Sequence, residues 1–397
     1  MFKPNRKVLV SLGVILSLLL IVTGCGGQSG TAGQTGTTET KEPIKIGFLG
    51  AKTGNTAIYG LGNLKGIKFA VDELNQKGGI LGHQVQLIED DDVGAKDQAI
   101  NITNKFITQD KVNAIIGDPL TGLTRVAGQI ANSKNTVIMS AGCTGPNVVE
   151  IGPYVFRDTL LDSVAAPATM KYIIQEKGWK KIAMIISKNS DYSVGVSAVF
   201  KQAIEANGGS VIDEEYIQDG DTDFSAQVTK IKAANPDVIV FGGYYTEAAL
   251  IMKKVREVGM KDIAMVGGDG LQSEDLVKIG GSAVDGVISF AGFSPEQPTP
   301  TTQKFMDAFK AKNNELPDLF AANGYDAMMI IAKAMTDANS ADPVKFKDTL
   351  AQTKNYEGVS GTITFKANHE VIKSPVYLLQ VKDGKFELLK KVPVALN

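Results

Sequence analysis

The sequence predicts an α/β protein built from two doubly wound, parallel-sheet units, and three observations point there. Short apolar runs such as Ala114-Ile115-Ile116 and Thr136-Val137-Ile138-Met139 are too brief for helices and are flanked by turn formers, which suits strands buried on both faces of a parallel sheet. These runs alternate with segments of helical periodicity, once through a series before Leu160 and again through a second series after it, without evident repetition of the sequence itself. Gly and Thr then gather where strands end, in Gly117-Asp118-Pro119-Leu120-Thr121-Gly122 and Ser140-Ala141-Gly142-Cys143-Thr144-Gly145-Pro146. In open parallel sheets a ligand binds outside the carboxyl ends of the strands, where small residues admit it to the backbone and helix N-termini offer N–H groups to an anion. Thr121 and Thr144 add hydroxyl donors there. For one such loop, a capping role of Thr121 on the following helix is the simpler reading; two at successive strand ends favour a shared site.

The chain has 397 residues, 43% of them hydrophobic and 21% charged, enough to bury large cores and to divide into two domains. Its formal net charge of -2 becomes -5 once Lys3, Arg6 and Lys7 of an N-terminal leader are removed. No run of Lys and Arg interleaved with aromatics appears, so no nucleic acid partner is expected. Residues 1–24 read as a signal peptide, with a basic start, an apolar stretch from Val8 to Val22, and Thr23-Gly24 before Cys25. The apolar stretch is too short for a membrane span. Val22-Thr23-Gly24-Cys25 resembles a bacterial lipobox, which implies lipidation of Cys25 and anchoring to a membrane. Residues 25–43 follow as a flexible linker, because Gly26 to Thr38 is Gly, Ser, Thr and Gln with one Ala. After Cys25 only Cys143 remains, which leaves no intramolecular disulfide if Cys25 is lipidated. His83 and His369 lie far apart, so neither a metal nor another cofactor is expected.

Taken in order, Ile44 to Leu49 reads as a strand and Gly60 to Gln76 as a helix with Leu64, Ile67, Val71 and Leu74 on one face. The turn Lys77-Gly78-Gly79-Ile80-Leu81-Gly82 leads to a strand over Gln84 to Ile88, then a helix from Ala95 to Gln109, the first site strand, and a helix from Thr124 to Ser133. In the second series Pro167 to Lys177, Val194 to Asn207, Phe224 to Ala234 and Glu247 to Val258 are helical. The strands there are Lys181 to Ile186, Ser210 to Tyr216, Asp237 to Phe241, Ile263 to Val266 and Val287 to Phe290. A proline-rich segment, Ser294 to Pro300, interrupts the pattern. Three helices follow, near Thr302 to Asn313, Phe320 to Ala338 and Val344 to Thr353. Strands over Gly361 to Phe365, Val376 to Val381 and Lys385 to Leu389 finish the chain, the last two joined as a hairpin through Lys382-Asp383-Gly384.

Several enzyme signatures are missing. Gly60, Gly62 and Gly66 miss the dinucleotide spacing by one position, and no phosphate-cradling G-x-x-x-x-G-K-[ST] occurs. No G-x-S-x-G elbow accompanies either histidine. Asp90-Asp91-Asp92 is read as helix capping and dipole complementation before the helix at Ala95 rather than as a metal site. No enzymatic activity is expected. What remains is a set of aromatics and one acid placed after strands: Tyr59, Tyr192, Tyr244 and Asp269. Each aromatic alone suits a core or a wet surface ring, and Asp269 alone could cap a helix starting at Ser273. Their recurrence at one end of successive strands is better explained by a shared cleft.

These residues, with Ile46-Gly47-Phe48 ahead of Tyr59-Gly60, the Lys77 to Gly82 turn, Asp90-Asp91 ahead of Lys96-Asp97-Gln98-Ala99, the Ala141 to Pro146 loop, Asp191-Tyr192, Gly242-Gly243-Tyr244 and Gly267-Gly268-Asp269-Gly270, give the chain its family likeness. From Ile44 to the C-terminus it resembles the type I solute-binding proteins of ABC importers, in particular the leucine/isoleucine/valine-binding group. The resemblance implies two α/β lobes joined by three crossovers, with residues 44–161 and 292–370 in the N-terminal lobe and 162–291 and 371–397 in the C-terminal lobe. It further implies that Thr121, with backbone amides near Gly122, holds an amino-acid carboxylate, and that Gly142, Cys143 and Thr144 contact both charged groups. Asp269 would pair with the ammonium, and Tyr59, Tyr192, Tyr244 and Phe320 would enclose the ligand. This chain has Asp269 and Thr121 where the branched-chain binders carry Glu and Ser, so the ligand is expected to sit differently. The expected function is that of a monomeric, lipid-anchored, extracytoplasmic receptor that captures an amino acid, a branched-chain one first, for an ABC permease. The alternatives are a receptor for a short amide, urea or an aromatic acid, or the sensing subunit of a separate signalling partner.

Overall fold

The computed structural model describes residues 41–395; the expected signal peptide, the lipidation site Cys25 and the linker up to residue 40 lie outside that range. Two series of strands alternate with helices. The first runs β1 (Ile44–Gly50), α1 (Ala57–Gln76), β2 (Val85–Asp91), α2 (Lys96–Lys105), β3 (Ala114–Ile116), α3 (Thr121–Ser133), β4 (Val137–Ser140) and β5 (Val155–Arg157). Its strands form a parallel sheet in the order β2-β1-β3-β4-β5. Both faces are covered, which is why β3 and β4 are apolar at nearly every position. Ala114 and Ile116 join one buried cluster with Ile67 of α1, whereas Ile115 points the other way, to Phe106 and to Leu123 and Ala127 of α3.

The second series runs α4 (Asp162–Lys171), β6 (Lys181–Ser187), α5 (Asp191–Ala206), β7 (Ser210–Ile217), α6 (Ser225–Ala234), β8 (Val238–Gly242), α7 (Tyr245–Glu257), β9 (Ala264–Gly267), α8 (Glu274–Gly280) and β10 (Ile288–Ala291). The chain ends through α9 (Pro300–Asn313), α10 (Leu319–Asp337), α11 (Pro343–Ala351), β11 (Tyr356–Gly358), β12 (Gly361–Phe365), β13 (Val371–Ser374), β14 (Val376–Lys382) and β15 (Lys385–Val392). The second sheet has the order β15-β14-β10-β9-β8-β6-β7, with β14 and β15 antiparallel additions. Its five parallel strands, β7-β6-β8-β9-β10, repeat the order of the first sheet. Each lobe therefore has a switch point, between β1 and β3 and between β6 and β8, where the strand ends leave a crevice. The β14–β15 hairpin turns on Asp383 and Gly384 at φ 49° and 75°, the left-handed pair that a two-residue hairpin loop requires.

The chain passes between lobes at residues 158–161, at 292–299 and at Pro375. The last point corrects the expected boundary: β13 pairs antiparallel with β12, and its Val371 packs with Ile46 and Phe48, so residues 371–374 belong with the N-terminal lobe. Two further expectations shift. α4 begins at Asp162 and carries Pro167 inside it, where a start at Pro167 was expected; the proline lacks only the N–H that would reach back to Ser163. β5, three residues long, was not anticipated at all.

The three glycines that resemble a dinucleotide loop serve packing. A Cβ on Gly66 would lie 1.9 Å from the carbonyl oxygen of Ala321, and one on Gly62 would lie 2.7 Å from Cβ of Phe320. Their absence lets α1 and α10 approach backbone to backbone, which sets the position of Phe320. Gly66→Ala should therefore destabilise the protein by about 1–3 kcal/mol. Urea unfolding measures this, and an unchanged midpoint would show that the helices can move apart freely.

Candidate ligand-binding site

On the N-terminal side the site is made of the loops that follow β3 and β4, and the two are stitched together. Ser140 Oγ donates to the Asp118 carbonyl and accepts from the Cys143 N–H at 3.0 Å. Thr124 Oγ1 donates to the same carbonyl at 2.7 Å, and Asp118 Oδ1 accepts from Leu120 N–H at 2.6 Å. Thr121, 1% exposed, opens α3, and its hydroxyl accepts from the Gly145 N–H at 3.3 Å. It is not the cap, since Leu120 precedes the helix with no side-chain hydrogen bond. The N–H groups of Thr121 and Gly122, the first two of α3, have no partner within the helix. Gly142 is required by contact: a Cβ there would lie 2.4 Å from Pro119 Cβ. Asp118 sits on buried ground, and burial together with the neighbouring carboxyl of Asp92 holds its own carboxyl well above the usual range. The acidic run before α2 is taken up by its turn: Asp91 accepts from Lys52 N–H at 2.7 Å and Val93 N–H at 3.0 Å, and Asp92 from Gly94 N–H at 2.9 Å.

The C-terminal side contributes rings and an acid. Tyr192 lies in the first turn of α5, Tyr244 precedes α7, and their rings stack at 5.3 Å and 22°. Tyr59, from the first turn of α1, tilts onto Tyr244 at 5.5 Å and meets Phe320 edge-on at 4.9 Å. Its hydroxyl donates to the Gly270 carbonyl at 2.8 Å, a hydrogen bond between lobes. Asp269 Oδ1 accepts from the Tyr192 hydroxyl at 3.1 Å. Ser273 caps α8 by accepting from Asp275 N–H at 3.0 Å, so Asp269 does not cap that helix. Burial pushes the Asp269 carboxyl up to about 7, against the opposing pull of the Tyr192 hydroxyl and the Gly270 N–H. Among the described residues no Lys or Arg forms an ion pair with it.

These groups line a pocket between the lobes with about 260 Å³ of empty space, open solvent included. Tyr59, Thr121, Gly142, Thr144, Tyr192, Tyr244, Asp269 and Phe320, all singled out from the sequence, line it, together with Pro119, Leu120 and Gly270, which were not. Gly122 and Cys143 do not line it. Gly122 follows Thr121 by one helical step and faces Asp191 at the cleft mouth. The Cys143 side chain is buried with Leu49, Ile115 and Leu123 beneath the loop, and its carbonyl accepts from the Thr159 hydroxyl at 2.7 Å. Sequence reasoning also missed Asp162. It is 1% exposed with both carboxyl oxygens unpartnered, and burial first and Asp269 second raise its carboxyl well above the usual range. At the start of α4 it reads in sequence as an ordinary dipole-complementing acid.

A model of the periplasmic binding protein family matches residues 43–385. The chain belongs to that family. The leucine-, isoleucine-, valine-, threonine- and alanine-binding protein of Pseudomonas aeruginosa is 30% identical over 325 residues, covering 82% of this chain and 86% of its own length. Among solved structures, the leucine-binding protein LivK of Thermotoga maritima is 31% identical with a TM-score of 0.84, covering 88% of this chain and 99% of its own. LivJ of Streptococcus pneumoniae, solved in complex with isoleucine, is 33% identical with a TM-score of 0.82, covering 89% and 99%. The two lobes are thus those of the type I periplasmic-binding fold.

In this periplasmic binding protein the lobes also meet at the cleft mouth. Asp191 at the head of α5 is held by Lys96 of α2 at 2.7 Å and by Arg125 of α3 at 3.7 Å. Arg125 is fixed in turn by donating to the Pro146 carbonyl at 2.6 Å. The Lys96 and Asp191 side chains are 58% and 35% exposed, so the contact is hydrated and worth roughly 1 kcal/mol or less. Asp191→Asn should accordingly speed ligand dissociation by less than about tenfold and flatten the salt dependence of that rate. Stopped-flow dissociation over a salt series measures both, and an unchanged salt dependence would mean that the latch does not hold the cleft shut.

Proposed function

We propose that the protein captures an amino acid outside the cytoplasm, with branched-chain side chains preferred, and delivers it to an ABC importer while a lipid on Cys25 holds it to a membrane. Membership of the periplasmic binding protein family indicates an extracytoplasmic solute-binding role. The single observation that carries the amino-acid reading is Asp269, a cavity-lining carboxylate with no cationic partner among the described residues, set in the same cavity as Thr121 and Thr144. A charge taken from water needs a matching charge or donors. A ligand ammonium supplies that match, while N–H and O–H groups of the two N-terminal-lobe loops receive the carboxylate as charge-assisted hydrogen bonds. The rings of Tyr59, Tyr244 and Phe320 leave an apolar enclosure for an aliphatic side chain. The P. aeruginosa relative and the isoleucine-bound LivJ support the same choice of ligand.

In this reading no covalent chemistry occurs, and the work is capture and release. Tyr59, Thr121 and Phe320 come from one lobe and Tyr192, Tyr244 and Asp269 from the other, so only the closed arrangement completes the site and ligand stabilises closure. Binding is also linked to protons. Burial in the closed cleft raises the Asp269 carboxyl to about 7, and an ammonium beside it favours its ionised form, so an ammonium taken into the closed cleft displaces a proton below that pH. Affinity should hold above pH 7 and fall by up to tenfold per unit as pH drops through about 7 and below, toward the carboxyl's pKa in the complex.

Calorimetry of the mature protein against the standard amino acids tests the reading. Asp269→Ala should weaken the best ligand by about two to four orders of magnitude, from roughly 3–5 kcal/mol of uncompensated buried charge. Thr121→Ala, which removes a hydrogen bond to a charged group, should cost roughly 1.5–3 kcal/mol. Near-native affinity in a folded Asp269→Ala variant would move the short-amide or aromatic-acid reading ahead. For the anchor, Cys25→Ser should shift the protein from the membrane to the soluble fraction, and identical partitioning of the two would dismiss lipidation.

A further inference from the structure

A buried lysine lies where all three crossovers converge. Lys373, 1% exposed, precedes the third crossover by two residues. Its ammonium donates to the Asp158 carbonyl on the first crossover at 3.0 Å and to Asn323 Oδ1 of α10 at 2.7 Å. Its stem packs against the second crossover: a Cβ on Gly292 would lie 3.6 Å from Lys373 Cε and 3.1 Å from Leu160 Cβ. From each of these points a short path leads to the cleft. Thr159, next to Asp158, donates to the Cys143 carbonyl in the loop of Gly142 and Thr144. Arg157, on its other side, donates to the Gly145 carbonyl and pairs with Glu370 near the base of β13. Asn323 lies one helical turn beyond Phe320.

We propose that Lys373 is a positioning residue for ligand capture, the pin that fixes the three crossovers to one another and so sets how far the empty lobes stand apart. The energetics favour a positioning role over a stabilising one. An ammonium withdrawn from water costs several kcal/mol, and replacing a buried charge cluster with apolar side chains of similar volume is often neutral or stabilising. The nearby acids do not demand a cation for their own sake. Asp326 accepts from the N–H groups of Val359 and Ser360 at 2.8 Å each and from the Ser360 hydroxyl. Burial raises the Asp158 carboxyl to about 8, against the opposing pull of the Lys373 ammonium. A methionine could fill the same volume, but it cannot hold the Asp158 carbonyl and Asn323 together.

The test compares wild type with Lys373→Met by small-angle scattering, thermal unfolding and calorimetry, using L-leucine as the probe and so resting on the amino-acid reading for that arm alone. The expected variant keeps a cooperative fold, has a larger radius of gyration than wild type without ligand, and binds leucine about tenfold or more weakly because its closed form is less populated. A folded variant with wild-type radius and wild-type affinity overturns the proposal. The ligand-free comparison needs no leucine, so failure of wild type to bind leucine would count against the function while this arm still decides the pin. If Lys373→Met does not fold, Asn323→Ala removes one of the two acceptors. The same changes, smaller in size, are expected there, and their absence overturns the proposal equally.

Discussion

The contact between two loops of the N-terminal lobe is what the rest of the cleft depends on. Pro119 lies against Gly142 so closely that a methyl group at position 142 would overlap it, and Thr121 meets Gly145 through a hydrogen bond and a side-chain contact. Ser140 and Thr124 converge on one carbonyl, that of Asp118, and fasten both loops to it. The donors of two different strand ends therefore stand fixed before any ligand arrives. Such preorganisation lowers the ordering cost of binding. It also lets neutral dipoles receive a carboxylate where a mobile arginine would otherwise be needed.

The opposite wall works by excluding water. Tyr192 and Tyr244 of the C-terminal lobe continue into Tyr59 and Phe320 of the N-terminal lobe as one ring surface, and the desolvation of the site is seen in the upward displacement of Asp269 to about 7. Each wall is incomplete alone. The inter-lobe bonds from Tyr59 to Gly270 and from Tyr245 to Asn55, with the Asp191 cluster at the mouth, describe a closed arrangement in which the two meet. The strand order makes this meeting possible, because both sheets place their switch points, and hence their loops, at the same cleft.

Much of this was legible in the sequence wherever one periodicity or one strand end carried the information. Short apolar runs marked β1, β3, β4, β6, β8 and β9, and their following Gly, Thr, Tyr and Asp residues marked seven of the lining positions, while Phe320 came from the family resemblance alone. The remainder depended on geometry that no local pattern records. β5 has three residues and gains its identity only from pairing with β4. β13 lies next to β14 in the chain, yet belongs to another sheet. Gly122 and Cys143 adjoin true lining residues, but one residue of helical rotation or one turn of a loop directs them elsewhere. Pro119, Leu120 and Gly270 reach the cavity through where the backbone runs, while Asp162 has the look of any acid at a helix start. Gly60, Gly62 and Gly66 miss a dinucleotide spacing by one position, and only the contacts show what they make room for: the Ala51 backbone at Gly60 and the partner helix at Gly62 and Gly66.

The central claim is that the cavity reads both ends of a zwitterion, carboxylate on the N-terminal lobe and ammonium on Asp269. Calorimetry with L-leucine, 4-methylpentanoate and 3-methylbutylamine tests it most directly, since the last two each retain the side chain and one charge. Leucine should bind far more tightly than either, with each missing charge costing roughly two orders of magnitude or more. Binding of 4-methylpentanoate as tightly as leucine would contradict the account, because Asp269 would then face a ligand with nothing to pair it.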